Sequence, residues 1–262
     1  MITATPTEHL NGIMLEGEYD DFSELVDCIY RMTGLKDDYN DPYWSVKNRL
    51  LGMCYDIRHA YQGDRHVKLV DSGADEELMK WHSMILPKQN VHFSVEILFP
   101  EAVFVALSVP ELYIMSYSYY GRTARSIKEK TSDPGFIPQT YANYLRDKAL
   151  LDTLCSVILA ALSEVVGDEE LEKLIRQKEG QSLFVDYAAQ YVDKCNIDYL
   201  KTPLEKKKDK LRNIAKRLVK KPDAYNRLKQ DLEYSAMIYG CSMHELHDPK
   251  LEYPKDIAMS LR

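Results

Sequence analysis

The stretch NVHFSVEILF, residues 90–99, decides the fold of the first half of the chain. Apolar residues occupy every second position within it: Val91, Phe93, Val95 and Ile97. Successive side chains of a β-strand point to opposite faces of the sheet, so this alternation predicts a strand that is buried on one face only.

Three further segments predict the partners of this strand. ITATPT (2–7) and GIMLEGEYD (12–20) are joined by a segment that ends in Asn11-Gly12, a pair that readily adopts the positive φ angles of a tight turn. HVKLVD (66–71) is short and rich in β-branched residues. Together with residues 90–99, these segments predict a mainly antiparallel sheet.

Helical periodicity fills the intervals between the strands. One helix is expected to end before Gly34, and a second to begin at Asp41. The second helix has apolar side chains at spacings of three and four residues: Val46, Leu50, Cys54, Ile57 and Tyr61. A short helix is predicted in residues 71–84, and another from Pro100, interrupted or kinked at Pro110.

Beyond residue 118 the sequence pattern is helical. The predicted helices cover Pro138–Val166, DEELEKLIRQKEG from Asp168, Leu183–Val192, and two further segments after Leu200. The predicted fold class is therefore α+β, an N-terminal mainly antiparallel sheet with helices followed by an all-helical C-terminal half. TSDPGFIP (131–138) is the best linker candidate. We expect an α+β domain at 1–118, a linker at 119–137, and a helical domain or extension packed on the first domain at 138–262.

Composition restricts the class of protein. The 262 residues carry a net charge of −7, which argues against attraction of the whole molecule to nucleic acid. The five cysteines are far apart and never form C-x-x-C, so neither a disulfide framework nor a zinc ribbon is predicted. No signal-peptide pattern is present in MITATPTEHLNG, and charged Asp152 and Glu164 interrupt the most apolar stretch, Ala149–Val166. These features predict a cytoplasmic protein with no membrane span.

Known catalytic and nucleotide-binding motifs are missing from the sequence. The glycines form neither G-x-G-x-x-G nor G-x-x-x-x-G-K-[ST], and no serine lies in G-x-S-x-G. We therefore predict no cofactor, and whether the protein is an enzyme stays open.

The polar stretch YDIRHAYQGDR, residues 55–65, is the first candidate site. Gly63 is expected to stop the second helix, and the polar side chains face away from its apolar stripe. The candidate catalytic residues are His59, Arg58, Asp64 and Arg65, and the candidate partner contacts are Tyr55 and Gln62. His59 could act as acid or base, with Asp64 orienting it and the arginines gripping a carboxylate or phosphate. Alternatively, the polar groups serve only the free carbonyls at the helix end.

The second candidate is the basic segment 201–229, which has twelve Lys or Arg against three acids and a net charge of +9, leaving −16 on the rest of the chain. It predicts a helical hairpin with a positive outer face that contacts RNA, DNA or an acidic protein surface. The candidate partner-binding residues are Lys206, Lys207, Lys208, Lys210, Arg212, Lys216, Arg217, Lys220 and Lys221. A lysine-rich face that is merely soluble is the alternative.

A metal site is not predicted, although GCSMHELHD (240–248) supplies weak candidates. Cys241, His244 and His247 are spaced by three residues and have the chemistry of zinc ligands. Ser242 and Glu245 form an ordinary capping box, which explains the polarity of this segment without a metal.

Four phrases of the sequence resemble a bacterial family known only as a domain of unknown function. These phrases are GEYDDFSELVD (17–27), LLGMCYDIRHAYQGDRHVKLVD (50–71), MKWH (79–82) and PKQNVHFSVEILFPE (87–101). The resemblance covers residues 1 to about 115. It implies a bacterial, cytosolic context, and it brings no activity, cofactor or catalytic residue.

Three functions are compatible with these patterns. The leading hypothesis is an interaction protein that binds a protein or nucleic-acid partner through the basic helical hairpin, the polar stretch, or both. The second is a hydrolase or phosphodiesterase-like enzyme that uses His59 with Arg58 and Arg65. The third is an acidic immunity or antitoxin-like neutraliser, since residues 16–41 hold nine acids against Arg31 and Lys36. Oligomeric state stays open.

Overall fold

The protein is described by a computed structural model that covers residues 1–34, 39–120 and 140–254. Its sheet has four strands in the order β1-β2-β4-β3, and every neighbouring pair is antiparallel. The strands are β1 Thr3–Pro6, β2 Gly12–Gly17, β3 His66–Asp71 and β4 Gln89–Leu98. The predicted antiparallel sheet is confirmed, with the alternating strand 90–99 in its interior as β4.

The register of β2 against β4 explains why the sheet has one buried face. Ile13 lies opposite Ile97, and Leu15 lies opposite Val95. All four side chains are buried in the hydrophobic core. Because side chains alternate along a strand, the intervening positions of β2 and β4 face away from that core.

Gly12 is required for a reason that differs from the sequence expectation. The positive φ in the β1–β2 turn belongs to Leu10, at 52°. Gly12 instead lies so close to β4 that a Cβ atom there would be 2.0 Å from the carbonyl oxygen of Ile97. A larger residue at this position would push the two strands apart.

Nine α-helices lie in the described part of the chain. The first four are α1 Tyr19–Thr33, α2 Trp44–His59, α3 Glu76–His82 and α4 Phe99–Ser116. The other five are α5 Tyr141–Val166, α6 Asp168–Lys178, α7 Gln190–Leu200, α8 Leu204–Lys220 and α9 Asp223–Tyr239. The predicted α+β class is confirmed, with all described secondary structure after residue 140 helical.

Helix α4 is the centre of the molecule. It follows β4 directly, most of its residues are buried, and it packs against α1, α2, α5, α7 and α8. A helix that is apolar on nearly every side is stable only when other elements surround it. Pro110 was expected to interrupt or kink this helix, and the helix runs through it without a break.

The hydrophobic core joins the two halves of the chain. One continuous cluster of buried side chains includes Leu15 of β2, Phe104 of α4, Leu154 of α5 and Leu218 of α8. Helix α5 packs along α1, α4 and β1. Residues 121–137 of the predicted linker lie outside the described residues, and the division into domains stays a prediction.

The helix expected at Leu183–Val192 begins later, at Gln190, so that prediction was wrong in position. Residues 183–189 form an irregular segment whose backbone is held by the buried carboxylate of Glu111. The N–H groups of Leu183 and Phe184 donate to Glu111 at 3.0 and 2.9 Å. A side chain of α4 therefore replaces the hydrogen bonds that a helix would supply here.

Two helices are long and apolar enough to cross a membrane by length and composition alone. They are α4 with the turn after it, Phe99–Tyr119, and α5. The most apolar window of the first is 78% buried inside the fold and that of the second 44%. The core helix of a soluble protein passes the same test, so the finding is weak evidence for a membrane span.

Candidate functional site

The polar stretch 55–65 occupies the last turn of α2 and the π-helical turn Ala60–Asp64 that follows it. Gly63 has a φ of 90°, a conformation that costs glycine least, and the helix ends here as predicted. Tyr55 and Gln62 are exposed, while Ile57 on the opposite face is fully buried. The sequence therefore separated the two faces of α2 correctly.

His59 and Asp64 are hydrogen-bonded to each other in this stretch. His59 Nδ1 lies 2.8 Å from Asp64 Oδ2. A carboxylate oxygen can only accept, so Nδ1 donates and leaves Nε2 as the nitrogen that can exchange a proton when the ring is neutral. The ring of Tyr55 lies 4.4 Å from that of His59, centroid to centroid. This geometry is that of a histidine oriented by a carboxylate.

The two candidate arginines make other contacts. The guanidinium of Arg58 lies over the ring of Tyr55, at 5.4 Å from its centroid. Arg65 Nη2 donates to Asp56 Oδ1 at 3.1 Å, and burial raises the pKa of Asp56 although Arg65 acts to lower it. The hydrolase hypothesis needs an anion-binding arginine beside His59; Arg65 is paired with Asp56, and this role for Arg58 stays a prediction.

The basic segment 201–229 forms α8 and the start of α9, with Lys221 and Pro222 between them. Two of its lysines serve the fold. Lys207 is buried, and its Nζ donates to the carbonyl oxygen of His9 at 2.9 Å and also to the side chain of Asn11. Lys221 lies over the rings of Tyr187 and Tyr225, at 5.6 Å from each centroid.

Other cations of α8 pair with acids of the same chain. Lys216 Nζ lies 2.6 Å from Glu170, and Arg212 lies 3.0 Å from Asp209. The contact of Lys210 with Asp198 is longer, at 3.9 Å. These pairs account for part of the positive charge that the sequence assigned to a partner.

A basic face remains on α8. We define it as Lys206, Arg217 and Lys220, which are exposed and form no ion pair with an acid in the described part of the chain. The spacings of 11 and 14 residues bring these side chains to one side of the helix. Lys208 is exposed on another side of α8.

Helix α9 adds an apolar surface beyond the basic segment. Four large side chains near its C-terminal end are exposed: Tyr234, Met237, Ile238 and Tyr239. Tyr225, Leu232 and Ala236 hold the helix to the rest of the molecule from its other side. The sequence analysis recognised α9 as a helix but did not single out this surface.

A small cleft lies between the first turns of α2, the start of α7 and the segment after α9. Its volume is about 130 Å³, and Trp44, Asn48, Arg49, Ala188, Ala189, Gln190, Asp193, Leu232, Met243, His244 and Leu246 line it. The rings of Trp44 and His244 stack with centroids 4.9 Å apart. Ligand pockets are commonly about 300–1,000 Å³, so this cleft admits water or a ligand of a few atoms.

A partly buried ionic cluster includes two of the residues that line this cleft, Arg49 and Asp193. Arg49 Nη2 lies 2.5 Å from Asp193 and donates to the carbonyl oxygen of Ala189 at 2.9 Å, while Nη1 lies 3.1 Å from Glu101. Asn196 donates to Glu101 at 3.0 Å. Burial opposes the charge of Arg49, but the carboxylates outweigh it and raise its pKa; burial also raises the pKa of Glu101. Because two acids already neutralise the guanidinium, the cleft does not favour an anion.

Comparison with protein-family models identifies the family of this chain. The family model described as Domain of unknown function (DUF6904) matches residues 2–259. The chain belongs to the DUF6904 family. No curated protein and no solved structure matches it. The DUF6904 match extends well beyond residue 115, where the resemblance in the sequence ended, so the helical half of the chain is part of the family as well.

The weak metal candidates lie in an irregular segment after α9, and not on one helical face. His244 Nδ1 lies 3.3 Å from Ser45 Oγ, and Glu245 accepts from the N–H of Ser242 at 2.7 Å as in the predicted capping box. His247 is exposed, and burial lowers the pKa of His244. Within residues 1–34, 39–120 and 140–254, no group of three or more histidine, cysteine or acidic side chains could hold a metal ion.

Several acids of residues 16–41 pair with cations of the same chain. Glu16 contacts Lys68 and His92, and Glu24 contacts Arg146. Other acids of this range, Asp37 and Asp38, lie outside the described residues. These pairs reduce the negative charge that a basic toxin could contact, and the neutraliser hypothesis stays a prediction.

The cysteines give a direct test of the packing. Cys241 is partly exposed, while burial raises the pKa of Cys54, Cys155 and Cys195 to about 12 each and also raises that of Cys28. The thiolate is the reactive form, so we expect one thiol per native chain to react quickly with a disulfide reagent at neutral pH. Cys241→Ser should remove the fast phase, and denaturant should expose the other four thiols. Fast reaction in the Cys241→Ser variant would contradict the packing.

Proposed function

We propose that the protein is an interaction protein that binds an acidic protein partner through α8 and α9. The basic face of α8, Lys206, Arg217 and Lys220, carries this proposal because its cations are exposed and not neutralised within the described chain. Positive surfaces attract acidic partners and steer their approach.

The exposed apolar side chains of α9 support a protein rather than a nucleic acid. Met237 is 71% exposed and Ile238 59%, and neither side chain offers a group that could recognise a phosphate or a base edge. Aromatic and methionine side chains are enriched at protein interfaces.

Two labelled probes separate the two classes of partner in a fluorescence anisotropy titration. One is a helical peptide rich in glutamate and leucine, and the other is a single-stranded RNA of the same net charge. We expect the peptide to bind more tightly than the RNA, and its affinity to fall as salt is added. Tighter binding of the RNA would overturn the choice of a protein partner.

A triple charge reversal tests the surface itself. We expect Lys206→Glu, Arg217→Glu and Lys220→Glu together to weaken peptide binding by about tenfold or more, because like charges across an interface repel. The matched control reverses three exposed cations elsewhere, Arg146, Arg176 and Lys250, with the same change in net charge.

A second variant tests the apolar component. Met237→Ser with Ile238→Ser should weaken binding of the peptide and leave any weak RNA binding unchanged, since only a protein partner gains from burying apolar area.

Equal losses in the triple reversal and its control would show that net charge, and not α8, determines binding.

A further inference from the structure

The two edges of the sheet are protected to different degrees. The β1 edge is covered by helix α5, which packs along the strand. The last residue of β1, Pro6, has no N–H group to offer to another strand. Strand β3 forms the other edge, and all of its side chains except that of Val70 are exposed. An uncovered edge presents a row of unpaired N–H and C=O groups that can pair with another strand.

The hydrogen bonds of the β3–β4 ladder show which groups of β3 point outward. The N–H of Ser72 donates to the carbonyl oxygen of Lys88 at 3.0 Å, in the same register that places Asp71 opposite Gln89. Hydrogen-bonded pairs alternate along an antiparallel ladder. The even-numbered residues of β3 therefore bond to β4, and the N–H and C=O groups of Val67, Leu69 and Asp71 point away from the sheet.

Two of these positions, Val67 and Leu69, carry an apolar surface on the side of the sheet that forms the core elsewhere. Leu69 is 63% exposed and Val67 50%, and Leu69 lies opposite Val91 of β4, which is also exposed. On the other face, Lys68 lies 2.5 Å from Glu16. The edge thus has an apolar side that no described helix covers, next to unpaired backbone groups.

The segment between β3 and β4 enlarges this surface. Helix α3 has no buried residue, Trp81 is 84% exposed, and Ile85 after the helix is 96% exposed. A stable dimer buries roughly 1,200–2,000 Å² in total, more than two short strands provide alone. The side chains of α3 and residues 83–86 supply the additional apolar area.

Strand β3 is complementary to itself in one antiparallel register. Only odd-numbered residues have outward groups, so an odd residue must face an odd residue. Placing Leu69 opposite Leu69 of a second copy meets this requirement, pairs residues 66–72, and puts Asp71 diagonally beside Arg65 of the copy. A shift of the register by two residues in one direction places Lys68 opposite Lys68 of the copy, and these like charges repel. A shift by two residues in the other direction places the apolar Leu69 opposite the charged Asp71.

We propose that β3 pairs with β3 of a second copy of this chain, forming a two-fold dimer with one sheet continuous across both copies. The two-fold axis passes beside Leu69, and the apolar sides of the two edges become contiguous. This interface lies outside α8 and α9, so it goes beyond the proposed function and does not depend on it.

Charged residues at position 69, on the two-fold axis, test this dimer. Sedimentation at micromolar concentration measures the mass of the assembly. The natural chain should have twice the 30.4 kDa mass of one copy. Leu69→Lys and Leu69→Glu should each weaken self-association by more than about tenfold, because like charges then face each other. An equimolar mixture of the two variants should recover the dimer, since unlike charges face each other in this register only when the copies differ.

The control is Ile114→Lys, the same kind of change at an exposed position of α4, which should leave the dimer intact. Leu69 is exposed, so circular dichroism should show both Leu69 variants folded. A monomeric natural chain would overturn the proposal, as would an undiminished dimer in the two single variants. Failure of the mixture to associate would overturn the register with Leu69 on the axis.

Discussion

Replacing Arg49 with methionine is expected to lower the free energy of unfolding by about 3 kcal/mol, the lower end of the cost of breaking a buried ion pair, because the side chains of this cluster keep 15–20% of their surface exposed. Arg49 connects α2 to α4 through Glu101 and to α7 through Asp193. Methionine fills much of the same volume, so the loss arises from two carboxylates left without their cation. Denaturant unfolding, followed by circular dichroism, measures the difference.

The loss should depend on pH. Burial already raises the pKa of Glu101, and removal of Arg49 takes away a cation that lowers it, so the pKa in the variant rises further. A carboxyl group with a folded pKa above its unfolded value stabilises the fold when protonated, and this stability is lost as pH rises through the folded pKa. The deficit of Arg49→Met should therefore be smaller near about pH 5 than near about pH 8.

Two control variants test whether the loss in Arg49→Met comes from the unpaired carboxylates. Arg146→Met removes the exposed partner of Glu24 and should cost no more than about 1 kcal/mol. Adding Glu101→Gln and Asp193→Asn to Arg49→Met should restore much of the stability, because no buried charge then lacks a partner. A loss in Arg49→Met that is the same at both pH values would show that the carboxylates are not its cause.

Asp147→Asn is expected to lower the free energy of unfolding by about 2–3 kcal/mol. This is less than the loss from a fully buried ion pair, because the partner Arg31 is partly exposed. The buried carboxylate of Asp147 accepts from Arg31 Nε and Nη2 at 2.7 Å each and from the hydroxyl of Tyr120 at 2.7 Å. It thereby joins α1, α5 and the end of the segment after α4. An amide keeps the shape of the side chain but places an NH₂ group against one of these donors.

The matched change is Glu24→Gln, which also converts a carboxylate paired with an arginine between α1 and α5 into an amide. That pair is exposed at both ends, so its stability change should stay within about 1 kcal/mol. Equal losses in the two variants would mean that burial does not decide the strength of these pairs.

Local patterns predicted the elements of this fold well. The alternation in residues 90–99 and the β-branched stretch 66–71 gave two strands, and apolar spacing gave α2 with its buried face. Such patterns reflect the geometry of a single element, which the neighbouring sequence determines. The helix expected at Leu183–Val192 was misplaced because Glu111, far away in sequence, replaces its hydrogen bonds.

The candidate sites were harder to predict because their partners are distant in sequence. Arg49 meets Glu101 and Asp193 across separations of 52 and 144 residues, and no local spacing connects them. Lys207 did carry a signal. It lies four residues before Leu211 and seven before Ile214, on the apolar face of α8, and a lysine at such a position needs a hydrogen-bond acceptor.

The contact of Lys207 with the β1–β2 turn also sets an order of events during synthesis. Its Nζ reaches Asn11, which lies 196 residues earlier in the chain. The first hairpin leaves the ribosome long before α5 covers β1 and before α8 can reach the turn. During translation the nascent sheet has two open edges until α5 emerges and covers β1, and such unpaired edges favour aggregation.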